Sequence, residues 1–208
     1  MAGKDGVHPG WAGHTVMAYA FLKSLGVSGD IGTITVDLKS GAATTSAGHE
    51  LVSGKTGEWQ IKSSRYPFCA TGSLTNDNSI RSAMTLIPFN LDLNRLTLVA
   101  KNGKASKYKV TWGAESRIYS AAQLAKGVNL ADQFAVNPFS DAFKKVDAAV
   151  GAKQNYETTQ IKSIFHGGEG KADMEAAVKK TEAARAPLAE AIKTAFVPVT
   201  HTILIEAN

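Results

Sequence analysis

The period of the apolar residues changes three times along the chain, and these changes constrain the fold more than any other feature. Between residues 31 and 120, apolar and β-branched side chains alternate with polar ones in short runs, of which residues 31–38 (IGTITVDL) are the clearest. Asn102 and Gly103 stand between two such runs and favour a hairpin, because both residues tolerate a positive φ. The pattern predicts antiparallel strands. The predicted runs are 31–38, 43–47, 49–53, 58–63, 82–89, 95–101, 107–112 and 117–120.

Helical spacing flanks this β region on both sides. Residues 11–25 predict a helix that ends at Gly26, and its apolar stripe consists of Val16, Met17, Ala20, Phe21 and Leu25. Residues 140–165 and 171–196 predict two long helices that form an antiparallel hairpin across a break at 166–170. Pro187 predicts a kink or a division in the second of them. Residues 199–205 alternate again and predict a last strand that returns to the sheet.

These patterns together predict an α+β fold. We expect an antiparallel β sandwich or curled sheet, with an N-terminal helix and a C-terminal helical hairpin. The predicted segments are residues 1–30 (a turn and a helix), 31–120 (the β region) and 121–208 (the hairpin and the last strand, packed on the β region). We expect these segments to form one compact unit, because 208 residues with 44% hydrophobic content can bury one sizeable core.

Composition excludes several classes of function. The 23 Lys and Arg residues are interspersed with 18 Asp and Glu residues, so the net charge of +5 predicts no nucleic-acid surface. Cys69 is the single cysteine and therefore forms no internal disulfide. No apolar run reaches the roughly twenty residues that a membrane span needs. The N-terminus lacks the apolar core of a signal peptide, so we expect a cytoplasmic protein without membrane or nucleic-acid partners.

Residues 5–10 (DGVHPG) carry the clearest chemical signal in the sequence. Asp5 and His8 stand three residues apart in a turn, immediately before the first helix. A carboxylate bound to one ring nitrogen of a histidine fixes its tautomer and stabilises its charged form, which leaves the other nitrogen to act as a general base. The pair therefore predicts part of a hydrolase site.

This block resembles a known family. Residues 5–25 are similar to the last conserved block of the SGNH (GDSL-type) hydrolases, which supplies the catalytic Asp and His of that family. The resemblance extends to the C-terminal part of bacterial, planctomycete-like members through residues 29–38 (GDIGTITVDL), 65–69 (RYPFC), 87–90 (IPFN), 93–98 (LNRLTL), 108–113 (YKVTWG) and 198–203 (PVTHTI).

The resemblance implies catalytic roles for two residues, and it also implies that the family's other catalytic blocks are not in this sequence. It makes Asp5 the orienting carboxylate and His8 the general base. The family's serine, glycine and asparagine blocks would precede Asp5, where only four residues stand, so the family's serine mechanism cannot run on this chain alone. We accordingly expect a homo-oligomer or a separate SGNH core as partner, because the first helix would lack the sheet on which the family packs it.

The sequence leaves two other sources of reactivity possible, a bound metal and a cysteine thiolate. Asp5, His8 and His14 are close enough in sequence to hold Zn²⁺ or another divalent metal, with His49, His166 and His201 as further candidates in space. Alternatively, Cys69 supplies a thiolate nucleophile that His8 activates and Asp5 orients. A lone cysteine in an apolar run is more often a small buried side chain.

The sequence therefore predicts one of two functions. In the first, the chain hydrolyses ester-type bonds, carboxyl or phosphate, of a small substrate, with His8 as base or metal ligand and Asp5 as its partner. In the second, it is a non-catalytic accessory or interaction module of an SGNH hydrolase.

Overall fold

The computed structural model describes residues 5–76 and 78–208, which fall into two compact units. Unit 1 comprises Met1–Phe139 and Pro198–Asn208, and unit 2 comprises Ser140–Val197. These units divide the chain differently from the predicted segments 1–30, 31–120 and 121–208. Within the described ranges, no helix has the length and apolar character needed to cross a membrane.

The secondary structure is α+β, as predicted. The strands of unit 1 are β1 (Asp30–Asp37), β2 (Ala43–Thr45), β3 (His49–Lys55), β4 (Glu58–Ser63), β5 (Arg95–Lys101), β6 (Lys107–Trp112), β7 (Glu115–Ser120), β8 (Val128–Asn129) and β9 (Val199–Ala207). Its helices are α1 (Trp11–Ser24), α2 (Ile80–Ala83), α3 (Phe89–Leu93), α4 (Ala121–Lys126) and α5 (Leu130–Gln133).

The strands form two sheets. The first has the order β2-β1-β5-β8, and the second has the order β3-β4-β9-β6-β7. All pairs in the second sheet are antiparallel, whereas β1 and β5 of the first sheet run parallel. The C-terminal strand β9 lies between β4 and β6, which confirms the predicted return of residues 199–205 to the sheet.

The core of unit 1 follows the period of two in the sequence. Successive side chains of a strand point to opposite faces, so alternation places every second residue in the interior. In β1, Ile34 and Val36 are buried, and in β9 Ile203 and Ile205 are buried. Two large aromatic side chains, Trp59 and Trp112, are completely buried and fill much of the interior.

Two sequence predictions in this region are wrong. Residues 82–89 form no strand, because the side chain of Ser79 accepts a hydrogen bond from the Ser82 amide and caps the short helix α2. Asn102 takes the expected positive φ of 60°, but β5 and β6 belong to different sheets and make no hairpin. Turn chemistry fixes the local backbone, while burial of the flanking strands decides their partners.

Unit 2 is a helical hairpin, as predicted. Helix α6 (Ser140–Thr159) continues as a π-helix (Gln160–Phe165), and α7 (Gly168–Ala172) leads into α8 (Met174–Ala195). The Tyr156 hydroxyl donates to the Thr181 carbonyl (3.1 Å), and the Gln160 side chain donates to the Thr181 hydroxyl (3.0 Å). Helix α8 is one helix, so Pro187 does not divide it.

Candidate functional site

The turn before α1 brings Asp5 and His8 together. One carboxylate oxygen of Asp5, Oδ1, accepts hydrogen bonds from the backbone amides of Val7 (3.1 Å) and His8 (3.0 Å). The other oxygen, Oδ2, lies 2.5 Å from Nδ1 of the His8 ring. Gly6 has a φ of 71°, a conformation that glycine adopts without strain. An Asp side chain that closes its own turn in this way is an Asx turn, and here it also positions the imidazole.

The electrostatics of the pair favour an ionised carboxylate. The hydrogen bond from the His8 side chain, followed by those from the His8 and Val7 amides, lowers the pKa of Asp5 from 3.8 to about 2. The His8 side chain is 84% exposed, and its Nε2 has no hydrogen-bond partner among residues 5–76 and 78–208. This nitrogen is therefore open to a substrate or a nucleophile, which is the arrangement that general-base catalysis requires.

Helix α1 holds the turn against the rest of unit 1. Gly10 precedes the helix and packs so closely on Asn78 that a Cβ at Gly10 would lie 1.7 Å from the Asn78 side-chain oxygen. Further along the helix, the Tyr19 hydroxyl and the Lys23 ammonium both bind the carboxylate of Asp92 in α3, at 2.6 and 2.8 Å. The dyad therefore stands on a helix that is anchored at both ends.

The side of α1 that is buried differs from the side that the apolar stripe predicts. The buried residues are the small Ala12, Gly13 and Thr15, whereas Phe21 of the predicted stripe is 66% exposed. Small side chains allow close approach of the helix, so its large apolar side chains are left on the opposite face. We call this set the α1 outer face. It consists of Trp11, Met17, Phe21 and Leu25.

The other predicted site residues lie apart from this dyad. His14 is exposed on α1, and within the described residues no three His, Cys, Asp or Glu side chains come together as metal ligands. The structure thus pairs Asp5 with His8 but does not add His14 to them. The zinc site stays a prediction without a ligand cluster in the part of the chain that the structure describes.

Cys69 is buried, and its thiol donates to the Pro67 carbonyl (3.5 Å) and to the Asn137 side-chain oxygen (3.7 Å). These groups belong to segments other than the Asp5–His8 turn. Its geometry is that of a small interior side chain, and its role as a nucleophile stays a prediction.

A second histidine cluster, which the sequence did not indicate as a unit, lies in the interior of unit 1. His49 Nδ1 lies 2.8 Å from the Ser63 hydroxyl, which lies 3.0 Å from His201 Nε2. The Trp112 indole donates to His201 Nδ1 (3.0 Å), and His49 Nε2 lies 3.0 Å from the Ile31 carbonyl. We call these five groups the buried histidine chain.

One set of proton positions satisfies the whole chain. An indole only donates, so Nδ1 of His201 accepts and the proton of the neutral ring sits on Nε2, which donates to Ser63. Ser63 then donates to His49 Nδ1, and His49 Nε2 donates to Ile31. Burial, followed by the electrostatic effect of the nearby His49, lowers the pKa of His201 from 6.5 to about 4. All nitrogens of both rings are used, so the chain is a structural network.

The alternation of inward and outward residues in β4 and β9 contains a signal from which this network could have been predicted. Ser63 and His201 occupy inward positions of β4 and β9, and they are polar residues on a face that is otherwise apolar. A buried polar side chain needs a hydrogen-bond partner, so two such residues on the same face of a sheet are candidates to bond to each other. The sequence does not show that β4 and β9 are neighbours, however, and that information is needed to pair them.

Comparison with known proteins identifies the fold but no family. No family model matches the chain, and no curated protein matches it. Among solved structures, the chain is similar to BT4096, described as a gut microbial diltiazem-metabolizing enzyme, with a TM-score of 0.67 and 19% sequence identity. The similarity covers 100% of this chain and 57% of that one. At this identity the likeness concerns the fold alone.

Proposed function

We propose that this chain supplies the acid–base half of an ester-hydrolysing site, with His8 as general base and Asp5 as its orienting carboxylate. The observation that carries the proposal is the 2.5 Å contact of Asp5 Oδ2 with His8 Nδ1, combined with an exposed and unpartnered Nε2. The fold likeness to an enzyme agrees with a catalytic role at the coarsest level. The substrate class, carboxyl or phosphate ester, follows from the SGNH resemblance of residues 5–25.

The geometry supports a defined sequence of proton transfers. Nε2 of His8 removes the proton from an attacking hydroxyl, and the imidazolium that forms is stabilised by Asp5 through Nδ1–H. Asp5 remains charged while this happens because its pKa is about 2. The imidazolium then returns the proton to the leaving alcohol as the acyl or phosphoryl group passes to the attacking oxygen. Water activated by the same Nε2 releases that group in a second round, which regenerates the hydroxyl. A positioned base of this kind contributes a rate factor of roughly 10²–10⁴.

The nucleophile in this proposal comes from a separate SGNH-type core that docks on the α1 outer face. Two observations support a docked partner. His8 has an open Nε2, and the helix that follows it exposes the apolar side chains Trp11, Phe21 and Leu25 on one face. Contiguous exposed apolar side chains of this size mark interaction surfaces more often than chance. A partner that also covers the Trp11 end of this face, where the helix meets the turn, would have its hydroxyl near the dyad.

A complementation assay tests the proposal. The chain is mixed with an SGNH hydrolase truncated before its own Asp-x-x-His block, and p-nitrophenyl acetate and p-nitrophenyl phosphate are used as substrates. We expect hydrolysis on mixing that exceeds the sum of the separate components. His8→Ala and Phe21→Asp should abolish the gain, while His14→Ala, an exposed histidine on the same helix, should retain it.

The alternatives give distinct results in the same assay. Activity of the chain alone that rises with the square of its concentration would make a second copy the partner. Activity that is lost with a chelator and restored by Zn²⁺ would support the metal site, and activity that Cys69→Ala abolishes would support the thiol. Binding of the truncated core without hydrolysis, and with no effect of His8→Ala, would overturn the catalytic proposal and favour the accessory module.

A further inference from the structure

A cavity of about 210 Å³ opens in unit 1. Its apolar wall includes Phe68, Leu74, Met84 and Phe134. Phe134 is fully buried, Met84 is half-buried and Leu74 is exposed, so the wall extends from the interior to the surface. Cavities with this lining bind the apolar body of a small organic ligand, and a few polar groups set its orientation.

Arg81 is the cation of this cavity, and its position is fixed. Its Nε and Nη2 both donate to the Ala70 carbonyl, at 3.1 and 2.9 Å, and Nη2 also donates to the Ala135 carbonyl (3.4 Å). Nη1 has no hydrogen-bond partner, and no carboxylate forms an ion pair with Arg81, among residues 5–76 and 78–208. The guanidinium is thus held through Nε and Nη2, and Nη1 remains available.

The remaining polar side chains at the cavity are already bonded. The Thr85 hydroxyl donates to the Ser82 carbonyl (2.7 Å), and the Asn90 side-chain oxygen accepts from Asn94 (3.0 Å). The carboxylate of Asp132 accepts hydrogen bonds from Asn90 (3.4 Å) and Gln133 (2.7 Å) and is exposed at the rim. An incoming ligand therefore finds its strongest unmet donor at Arg81.

We propose that this cavity is a binding site for a small organic carboxylate. Its carboxylate accepts hydrogen bonds from Nη1 of Arg81, and its apolar body packs between Phe68, Met84 and Phe134. A guanidinium pairs well with a carboxylate, and its partial burial strengthens the interaction. The negative charge of Asp132 at the rim disfavours dianions such as phosphate. This site does not depend on the Asp5–His8 dyad or on the hydrolase function.

Binding of phenylacetate to the full chain tests the proposal, with phenylacetamide as its uncharged isostere. Titrations are followed by ¹H–¹⁵N NMR and by calorimetry. We expect shifts at the backbone amides of residues 68–70, 81–85 and 131–135, and a dissociation constant for phenylacetate that is about ten-fold lower than for the amide. Equal affinity for the two ligands, or shifts elsewhere only, would overturn the proposal.

Three variants test whether Arg81 and the cavity bind the ligand. Arg81→Gln should weaken phenylacetate binding about ten-fold and leave phenylacetamide binding unchanged, while Arg185→Gln in unit 2 should affect neither ligand. Because Arg81 also ties two backbone segments together, Ala135→Leu provides a second variant that fills the cavity without removing those bonds, and it should abolish binding of both ligands. Retained binding in Ala135→Leu would contradict the site.

Asp132→Asn distinguishes a simple carboxylate from a zwitterion. We expect it to strengthen phenylacetate binding slightly, because a like charge at the rim is removed. L-phenylalanine would instead bind less tightly to this variant if its ammonium group used Asp132. Tighter binding of L-phenylalanine than of phenylacetate to the wild-type chain, lost in Asp132→Asn, would replace the proposed ligand class.

Discussion

Unit 1 holds two hydrogen-bonded histidine systems in opposite environments. At the surface, His8 uses only Nδ1, which contacts Asp5, and its Nε2 faces solvent. In the interior, His201 and His49 use both ring nitrogens, and Ser63 between them is completely buried. Both systems combine residue types found in hydrolase triads, yet they differ in whether a ring nitrogen is left open.

The difference between the two systems shows which property marks a catalytic histidine. A general base needs one nitrogen fixed by a partner and the other free to meet a proton. The buried histidine chain places a serine between two histidines, but every nitrogen of both rings already has a hydrogen-bond partner. Contact between serine and histidine is therefore a weaker sign of function than an open ring nitrogen. The following predictions test this contrast, from the largest expected effect to the smallest.

The largest effect is a loss of stability in mild acid that arises from His201. Its pKa is 6.5 when unfolded and about 4 when folded, so above pH 6.5 both states are neutral and its contribution is fully present. Between pH 6.5 and 4 the unfolded state binds a proton that the folded state excludes. The free energy of unfolding should fall by about 3 kcal/mol over this range.

Urea unfolding at several pH values, followed by tryptophan fluorescence, measures this loss. Carboxylates also titrate below pH 5, so the informative quantity is the difference between the wild type and His201→Phe. The variant should be less stable at pH 7 but should show a shallower pH dependence. Identical pH dependence in the two proteins would refute the assignment to His201.

The second prediction concerns the serine that links the two rings. Ser63→Ala removes the acceptor of His201 and the donor to His49, so two buried groups lose their partner. We expect the free energy of unfolding at pH 7 to decrease by about 2 kcal/mol. Ser64→Ala is the matched control, because the Ser64 hydroxyl is exposed and donates to the Gly48 carbonyl (3.2 Å), and it should cost far less. Similar losses in both variants would show that the network adds no stability.

The third prediction concerns the tautomer of His8. In the neutral ring of the wild type, the Nδ1 contact with Asp5 should place the proton on Nδ1 and leave Nε2 without one. Asp5→Asn removes the charged acceptor and should shift the ring toward a mixture of tautomers, with little change in the unfolding midpoint because the pair is exposed. Long-range ¹H–¹⁵N NMR of the His8 ring reads the tautomer directly. An unchanged tautomer in Asp5→Asn would show that the carboxylate does not orient His8.

The smallest effect is the acid titration of the same pair. The pKa of Asp5 is depressed from 3.8 to about 2, so its stabilisation of the turn is present above pH 3.8 and is lost as the pH falls through about 2. The carboxyl carbon of Asp5, followed by ¹³C NMR, should titrate near pH 2 in the wild type and nearer its ordinary value in His8→Ala. Titration of Asp5 near 3.8 in both proteins would contradict the contact.

The sequence predicted local structure more accurately than it predicted which elements lie next to each other in space. The Asp5–His8 turn was predictable because Gly6 and the Asx turn act within four residues, and the alternation in β1 and β9 was visible in single runs. The strand predicted at 82–89 failed because the Ser79 cap outweighed a weak alternation. The hairpin at Asn102 failed because the turn cannot specify the sheet in which each strand ends.

By itself, the sequence determined the α+β class, the positions of the long helices and most strands, and the pairing of Asp5 with His8 in one turn. These depend on backbone preference and on periods of two and 3.6 that extend over a few residues. Only the tertiary structure decided which side of α1 is buried, how His49, Ser63 and His201 combine, and that Arg81 faces a cavity. Those facts depend on contacts between residues far apart in the chain, such as the 138 positions between Ser63 and His201, and no local pattern encodes them.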